Sequence, residues 1–209
     1  MPKEIHQQYN LRIYINRVLK QVHPDTSITQ EALNEVNYMI HYLIEKLSLA
    51  SNTFVQHSNK STLSAAAVQS ALSLCLPPGL SEYTISEGTQ AVTHYNGSKT
   101  VTNQKSSKEK MSKSVRAHLT FSVSRIEHLM RLYVQNCNRL SETAPVYLAA
   151  AMEYICAEIL ELSGLIARDH LKVRITTRHI LLAIKNDKEL SYLFKDVILS
   201  GGVLPQSIN

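Results

Sequence analysis

The chain has 209 residues, of which 44% are hydrophobic and 19% charged, a composition of globular proteins rather than of disordered or collagen-like chains. Six Gly and six Pro are too few for an all-β protein with many tight turns, and no apolar run reaches the ~18 residues of a membrane span. Three scattered cysteines indicate no disulfide framework. We therefore expect a mainly helical protein of one or two domains, with no membrane contact.

The net charge of +5 is unevenly distributed along the chain. Residues 1–98 carry a net charge of −1, residues 99–114 of +4, and residues 115–209 of +2. A basic segment between two nearly neutral halves suggests an anionic partner, although a short Lys-rich stretch is more often only a solvated linker. Because residues 99–114 hold almost no apolar side chains, we interpret them as a flexible linker between domains 1–98 and 115–209.

The first domain is predicted to contain a short helix, a long helix and two further helices. The predicted spans are Tyr9–Val22, Thr29–Gln56, Ser64–Leu74 and a last helix that reaches Tyr95. His23 precedes a proline, which disfavours helix at that position, and Ser64 is a residue type that caps helix N-termini. Apolar residues at steps of three and four give the long helix one apolar face.

The second domain repeats this order. A short helix is predicted at Val123–Asn138, and a long helix follows to His170 with Pro145 in its first turn, where the missing N–H is tolerated. Shorter helices are predicted at Thr176–Lys185 and Asp187–Leu193. The repeated pattern is that of the histone fold, in which two units cross head to tail and bury the apolar faces of their long helices. Periodicity alone equally allows two unrelated helical bundles.

Several sequence runs carry a more specific resemblance. In the first half, VLKQVHPDTSI (18–28), NKSTLS (59–64) and SEGTQAVTHY (86–95) resemble histone 2B. In the second, APVYLAAAMEYICAEILELSG (144–164), ARDHLKVRITTRHILLAIKNDKEL (167–190) and GGVLP (201–205) resemble histone 2A. The chain is thus similar to a fused histone 2B–histone 2A doublet of the kind known from giant DNA viruses of amoebae, such as the marseilleviruses. The resemblance implies an all-α fold of two tandem histone folds paired as a pseudo-heterodimer, with a truncated docking tail after the second.

The resemblance also implies contacts to the DNA backbone without base reading. In each half, the loop before the long helix is expected to lie beside the loop that follows the long helix of the other half. One end of the molecule would then combine Thr26 and Ser27 with Arg174 and Thr176. The other end would combine Lys60, Ser61 and Thr62 with Arg139 and Thr143. The first helices are expected to add Arg12, Tyr14 and Arg17 on one side and Arg125 and Arg131 on the other, and Arg116 is a further candidate. Any one of these arginines, taken without the motifs, is more simply a solvated surface charge.

An acidic surface is implied as well, formed by Glu87, Glu153, Glu158, Glu161, Asp187 and Glu189. In the family such a cluster docks arginine-bearing tails, and without the resemblance it is a solvated helix face. Gly79 and Lys188 stand where the family usually has acids, and Ala66, His128 and Leu132 replace basic residues. These departures predict a weaker acidic surface and fewer phosphate contacts.

We expect a protein that wraps double-stranded DNA into nucleosome-like particles with a histone 4–histone 3-like pair or doublet. It would act on DNA in the nucleus or a viral replication compartment, and packaging in the virion is allowed for. The alternative is a histone-fold module of a transcription or chromatin complex that acts mainly through protein contacts. No phosphate-binding glycine loop, GxSxG or HExxH motif is present, so we predict neither an enzyme nor a cofactor or metal site.

Overall fold

The computed structural model describes residues 9–102, 111–134 and 139–197. The first half consists of α1 (Arg12–Val22), β1 (Ser27–Ile28), α2 (Gln30–His57), β2 (Thr62–Leu63), α3 (Ala65–Cys75) and α4 (Pro78–Thr102). The second half consists of α5 (Lys113–Arg116), α6 (Val123–Tyr133), β3 (Arg139–Leu140), α7 (Ala144–Asp169), β4 (Arg174–Ile175), α8 (Thr177–Asn186) and α9 (Lys188–Leu193). A short helix, a long helix and a short helix, joined by loops, therefore occur twice, which confirms two tandem histone folds. Among the described residues, no helix combines the length and apolar character needed to cross a bilayer.

The long helices begin and pack as their sequences predict. The hydroxyl of Thr29 accepts a hydrogen bond from the N–H of Ala32 at 3.3 Å and caps α2. Pro145 lies in the first turn of α7. Residues at helical spacing, such as Ile40 and Leu43, are fully buried. The two long helices each supply a large part of one continuous apolar core, so neither half buries its apolar face alone.

The halves are joined at both ends by short parallel strand pairs. At one end β1 pairs with β4, and Ser27 lies opposite Arg174. At the other end β2 pairs with β3, and Thr62 lies opposite Arg139. Helices α1, α3 and α4 of the first half all contact α7 of the second, and α6 contacts α2. This reciprocal pairing confirms the head-to-tail pseudo-heterodimer.

The predicted linker is wrong at both of its ends. Helix α4 does not end at Tyr95 but continues to Thr102, across the predicted boundary at residue 98, and α5 begins at Lys113 inside the predicted linker. The guanidinium of Arg116 lies 4.2 Å from the centre of the Tyr95 ring and donates to the Tyr95 carbonyl oxygen at 3.3 Å. This tertiary contact stabilises a helical end that composition alone made look flexible. Residues 103–110 lie outside the described residues.

Three smaller differences concern helix ends. Helix α6 ends at Tyr133 rather than Asn138, and residues 135–138 lie outside the described residues. Ser64 occupies the N-cap position of α3, but its hydroxyl makes no capping hydrogen bond. Helix α1 begins at Arg12, three residues later than predicted, because the side chain of Asn10 accepts the N–H of Arg12 at 2.8 Å. The GGVLP run also lies outside the described residues.

Candidate nucleic-acid interface

One strand pair builds a basic and hydroxyl-rich cluster, which we call loop site A: Thr26, Ser27, Arg174 and Thr176. The N–H of Ser27 donates to the carbonyl of Val173 at 2.9 Å, and this bond fixes the two loops side by side. The Nε of Arg174 donates to the hydroxyl of Ser27 at 3.3 Å. The structure thus brings the predicted partners together across the two halves.

Lys172 also belongs to loop site A, although it was not predicted from the sequence. This exposed lysine lines one open depression together with Ser27, Arg174 and Thr176. Lys172 and Arg174 are two positions apart, and alternate residues of an extended segment share a side. That spacing was the signal that could have identified it. Loop site A therefore carries two cationic side chains beside two hydroxyl groups.

The other strand pair builds loop site B: Lys60, Ser61, Thr62, Arg139 and Thr143. The N–H of Arg139 donates to the carbonyl of Ser61 at 3.2 Å, which places the two segments in contact. Lys60 and Arg139 are both exposed. Thr143 is the N-cap residue of α7, so the cluster lies at the positive end of a 26-residue helix. Both loop sites have the groups that bind phosphate oxygens: cations, hydroxyls and helix N-termini.

Tyr14 organises a third basic cluster. The guanidinium of Arg17 lies 5.7 Å from the centre of the Tyr14 ring, and that of Arg125 lies 5.5 Å from it. Arg125 also donates to the carbonyl of Asn10. The prediction that Arg125 lies on the opposite side from Arg17 is therefore wrong, because the first helices of the two halves meet near Tyr14. Arg12 lies nearby in sequence but donates to the side chain of Asn34 at 2.9 Å.

Two predicted DNA-contacting arginines are engaged within the protein. Arg131 forms an ion pair with Glu127 at 2.8 Å, and Lys113 pairs with the same carboxylate at 2.6 Å. Burial alone would raise the pKa of Glu127, but its bonds to Lys113 and Arg131 outweigh this effect and lower it. Arg116 lies on Tyr95, as described above. The charges of Arg131 and Arg116 are therefore partly engaged in contacts within the protein.

The acidic residues divide into those that cap backbone and those that face solvent. Glu153 accepts the N–H of Phe121 at 2.8 Å, and Asp187 accepts the N–H of Leu190 at 2.7 Å. Glu189 accepts the N–H groups of Gly79 and Leu80, each at 2.9 Å, at the start of α4. Glu87 and Glu161 are exposed, and Glu158 is half-buried.

The position of Glu189 explains why Gly79 suits this site. A Cβ atom added at Gly79 would lie 2.6 Å from a carboxylate oxygen of Glu189. An acidic side chain there would also meet the like charge of Glu189. The missing side chain at residue 79 therefore leaves room for Glu189 to cap α4.

Burial raises the pKa of Glu158, and the nearby charges of Glu161, Asp187 and Glu189 raise it further. The folded state therefore binds a proton at Glu158 more readily than the unfolded state does. Above the raised pKa, the charged carboxylate lowers the free energy of unfolding. This destabilisation disappears as the pH falls to the ordinary pKa of a glutamate.

We expect Glu158→Gln to raise the melting temperature at pH 7 and to have no effect below about pH 4.5, where the unfolded carboxyl is also protonated. Thermal melting from pH 4 to pH 8 tests this expectation. Glu82→Gln, which removes an exposed carboxylate elsewhere on α4, is the matched control. An equal rise in melting temperature at pH 4 and at pH 8 would contradict the electrostatic cause.

Comparisons with known proteins agree with this geometry. The sequence model of the core histone domain, which is shared by histone 2A, histone 2B, histone 3 and histone 4, matches residues 4–74 and 99–186. The chain belongs to the core histone family. It is 40% identical to the histone 2B–histone 2A doublet of Melbournevirus over 92% of its own length and 68% of that protein. It is also 52% identical to a histone 2A of Candida albicans over 48% of this chain and 76% of that histone.

The match to histone H2AX of Tetrahymena pyriformis is similar, with 49% identity over 47% of this chain and 72% of that histone. The single-histone relatives thus match about half of this core histone, whereas the doublet matches nearly all of it. Two histone-fold halves in one chain are a property that it shares with the viral doublet. All three of these relatives are histones.

Proposed function

We propose that this core histone doublet binds the DNA backbone without sequence specificity and wraps DNA into nucleosome-like particles. The observation that carries the proposal is the reciprocal pairing of the loops. It places Arg174 beside Ser27 at one end of the molecule and Arg139 beside Ser61 at the other. The two clusters are held apart on one core. They could therefore bind phosphates at successive places where the minor groove of a bent duplex faces the protein.

The cluster around Tyr14 supports the same proposal. Arg17 is exposed, and the Tyr14 ring lies close to both the Arg17 and the Arg125 guanidinium groups. Stacking on an aromatic ring orients a guanidinium without cancelling its charge. We infer that this cluster contacts phosphates between the regions served by the two loop sites.

A histone 4–histone 3-like pair or doublet is the partner that we propose for completing the particle. Leu49 on α2 and Leu74 on α3 remain exposed, Leu74 to 72%. Contact with such a partner at these positions would remove the two apolar side chains from water. The chain would then act wherever its DNA is packaged, in the nucleus, in a viral replication compartment or in the virion. Arginine-bearing tails are proposed as ligands of the acidic residues.

Single substitutions of the two loop arginines test the DNA-binding proposal. We expect Arg139→Ala and Arg174→Ala each to weaken binding to all duplex sequences alike and to reduce the slope of log affinity against log salt by about one unit. Titration of two unrelated duplexes at several salt concentrations measures both effects. Lys188→Ala, which removes an exposed cation from the acidic region, should leave the slope unchanged. A shift in sequence preference, or no change in slope, would contradict backbone binding at these loops.

A further inference from the structure

Loop site B contains an acidic side chain that the proposed DNA binding does not use. Glu142 is exposed and lies between Arg139 and Thr143 in the chain. The hydroxyl of Tyr95 donates to its Oε2 at 3.4 Å. A carboxylate therefore lies in the same loop that we propose to receive a phosphate group.

The residue that contacts Glu142 is itself firmly placed. Tyr95 is only 1% exposed, and its ring contacts the guanidinium of Arg116 at 4.2 Å. Arg116 also donates to the backbone of Tyr95. Because the donor is anchored in the core, the hydrogen bond keeps the Glu142 carboxylate close to the loop.

The position of Glu142 relative to α7 gives its charge a specific effect. Glu142 immediately precedes Thr143, the N-cap residue, so it lies beside the partial positive charge of the helix N-terminus. Phosphate groups use this same feature when they bind helix starts. In the first half, the chain passes from β1 directly into the N-cap residue Thr29, preceded by the uncharged Ile28.

We propose that Glu142 is an internal competitor for phosphate, positioned by Tyr95, that lowers the affinity of loop site B for DNA. The inference rests on the proposed function, since it assigns a determinant of affinity within the same site. It gives the loop a means of releasing DNA more easily than its basic residues alone would allow.

The test is Glu142→Gln, which keeps the shape of the side chain and removes its charge. We expect affinity for a nonspecific duplex to rise about threefold to tenfold at ~150 mM salt, with a salt slope steeper by up to about one unit. Glu82→Gln removes an exposed charge outside the loop sites and should leave both values unchanged. Melting curves establish that each variant is folded.

A second variant tests the positioning by Tyr95. Tyr95→Phe keeps the ring that contacts Arg116 and removes the hydroxyl that donates to Glu142, which weakens the restraint on the carboxylate. We expect a smaller gain in affinity, and the double variant Tyr95→Phe, Glu142→Gln should bind no better than Glu142→Gln alone. Independent, additive gains would contradict positioning by Tyr95.

The outcomes separate this inference from the proposed function. If Arg139→Ala weakens binding while Glu142→Gln stays within about twofold of the parent protein, the competitor role is wrong and phosphate binding stands. If neither substitution changes binding, loop site B is not a phosphate site, and both proposals fail there.

Discussion

Replacing Gly164 by Ala should lower the free energy of unfolding by about 3 kcal/mol, a fall in melting temperature of roughly 10 °C. A Cβ atom at residue 164 would lie 2.2 Å from Cδ2 of the His23 ring. His23 belongs to the first half and is buried against α7 of the second. Its ring would have to leave the notch that the glycine provides.

The hydrogen bonds of His23 explain why that displacement is costly. A carbonyl only accepts and a guanidinium only donates, so Nε2–H donates to the Glu161 carbonyl at 3.1 Å and Nδ1 accepts from Arg168 at 3.3 Å. Moving the ring breaks both bonds and leaves buried polar groups without partners.

Thermal or urea unfolding measures this effect, and Gly97→Ala is the matched control. A Cβ atom at Gly97 has nothing within 4 Å, so this substitution should be neutral or slightly stabilising. Combining Gly164→Ala with His23→Ala should cost less than the sum of the two single changes, because the smaller side chain vacates the notch. If the Gly164→Ala variant has the same melting temperature as the parent protein, the packing of His23 against α7 does not stabilise the paired halves.

The second large effect is expected when three lost basic residues are restored together, as Ala66→Arg, His128→Arg and Leu132→Lys. All three positions are exposed, so the longer side chains can be accommodated without disturbing the core. Each added cation that meets a phosphate contributes counterion-release free energy, while the cost of bending the DNA stays the same. We therefore expect longer nuclease protection and release of the chain only at higher salt.

Protected fragment length and the salt concentration of release, both measured on reconstituted particles, test this expectation. The matched control adds the same three positive charges on α4, outside the residues proposed to bind DNA or tails, as Ser86→Arg, Gln90→Arg and Thr93→Lys, all exposed positions. If the restored variant protects no more DNA than the parent, these positions do not limit wrapping.

Helix order could be predicted from the sequence because it depends on local and repeated signals. The apolar spacing of α2 and α7 fixed their lengths to within two residues at each predicted end, and Pro145 marked a helix start. The reciprocal pairing of the loops was predicted from the resemblance to histones. Periodicity alone could not have distinguished paired histone folds from two separate helical bundles.

Tertiary contacts account for what could not be predicted. Helix α4 continues past Tyr95, where Arg116, which is distant in sequence, lies on the Tyr95 ring. The proximity of Arg125 to Tyr14 depends on how α1 and α6 approach each other across the paired long helices. Glu189 was predicted as part of an open acidic surface, yet it caps α4. In each case a long side chain contacts a partner distant in sequence, which no local pattern reveals.

The most direct test of DNA packaging is reconstitution of this chain with a histone 4–histone 3 pair on DNA, followed by nuclease digestion. We expect a discrete protected fragment, longer than the one that the histone 4–histone 3 pair protects alone and shortened when Arg139 and Arg174 are both replaced by Ala. Protection that is the same with and without this chain would contradict the proposal that it wraps DNA.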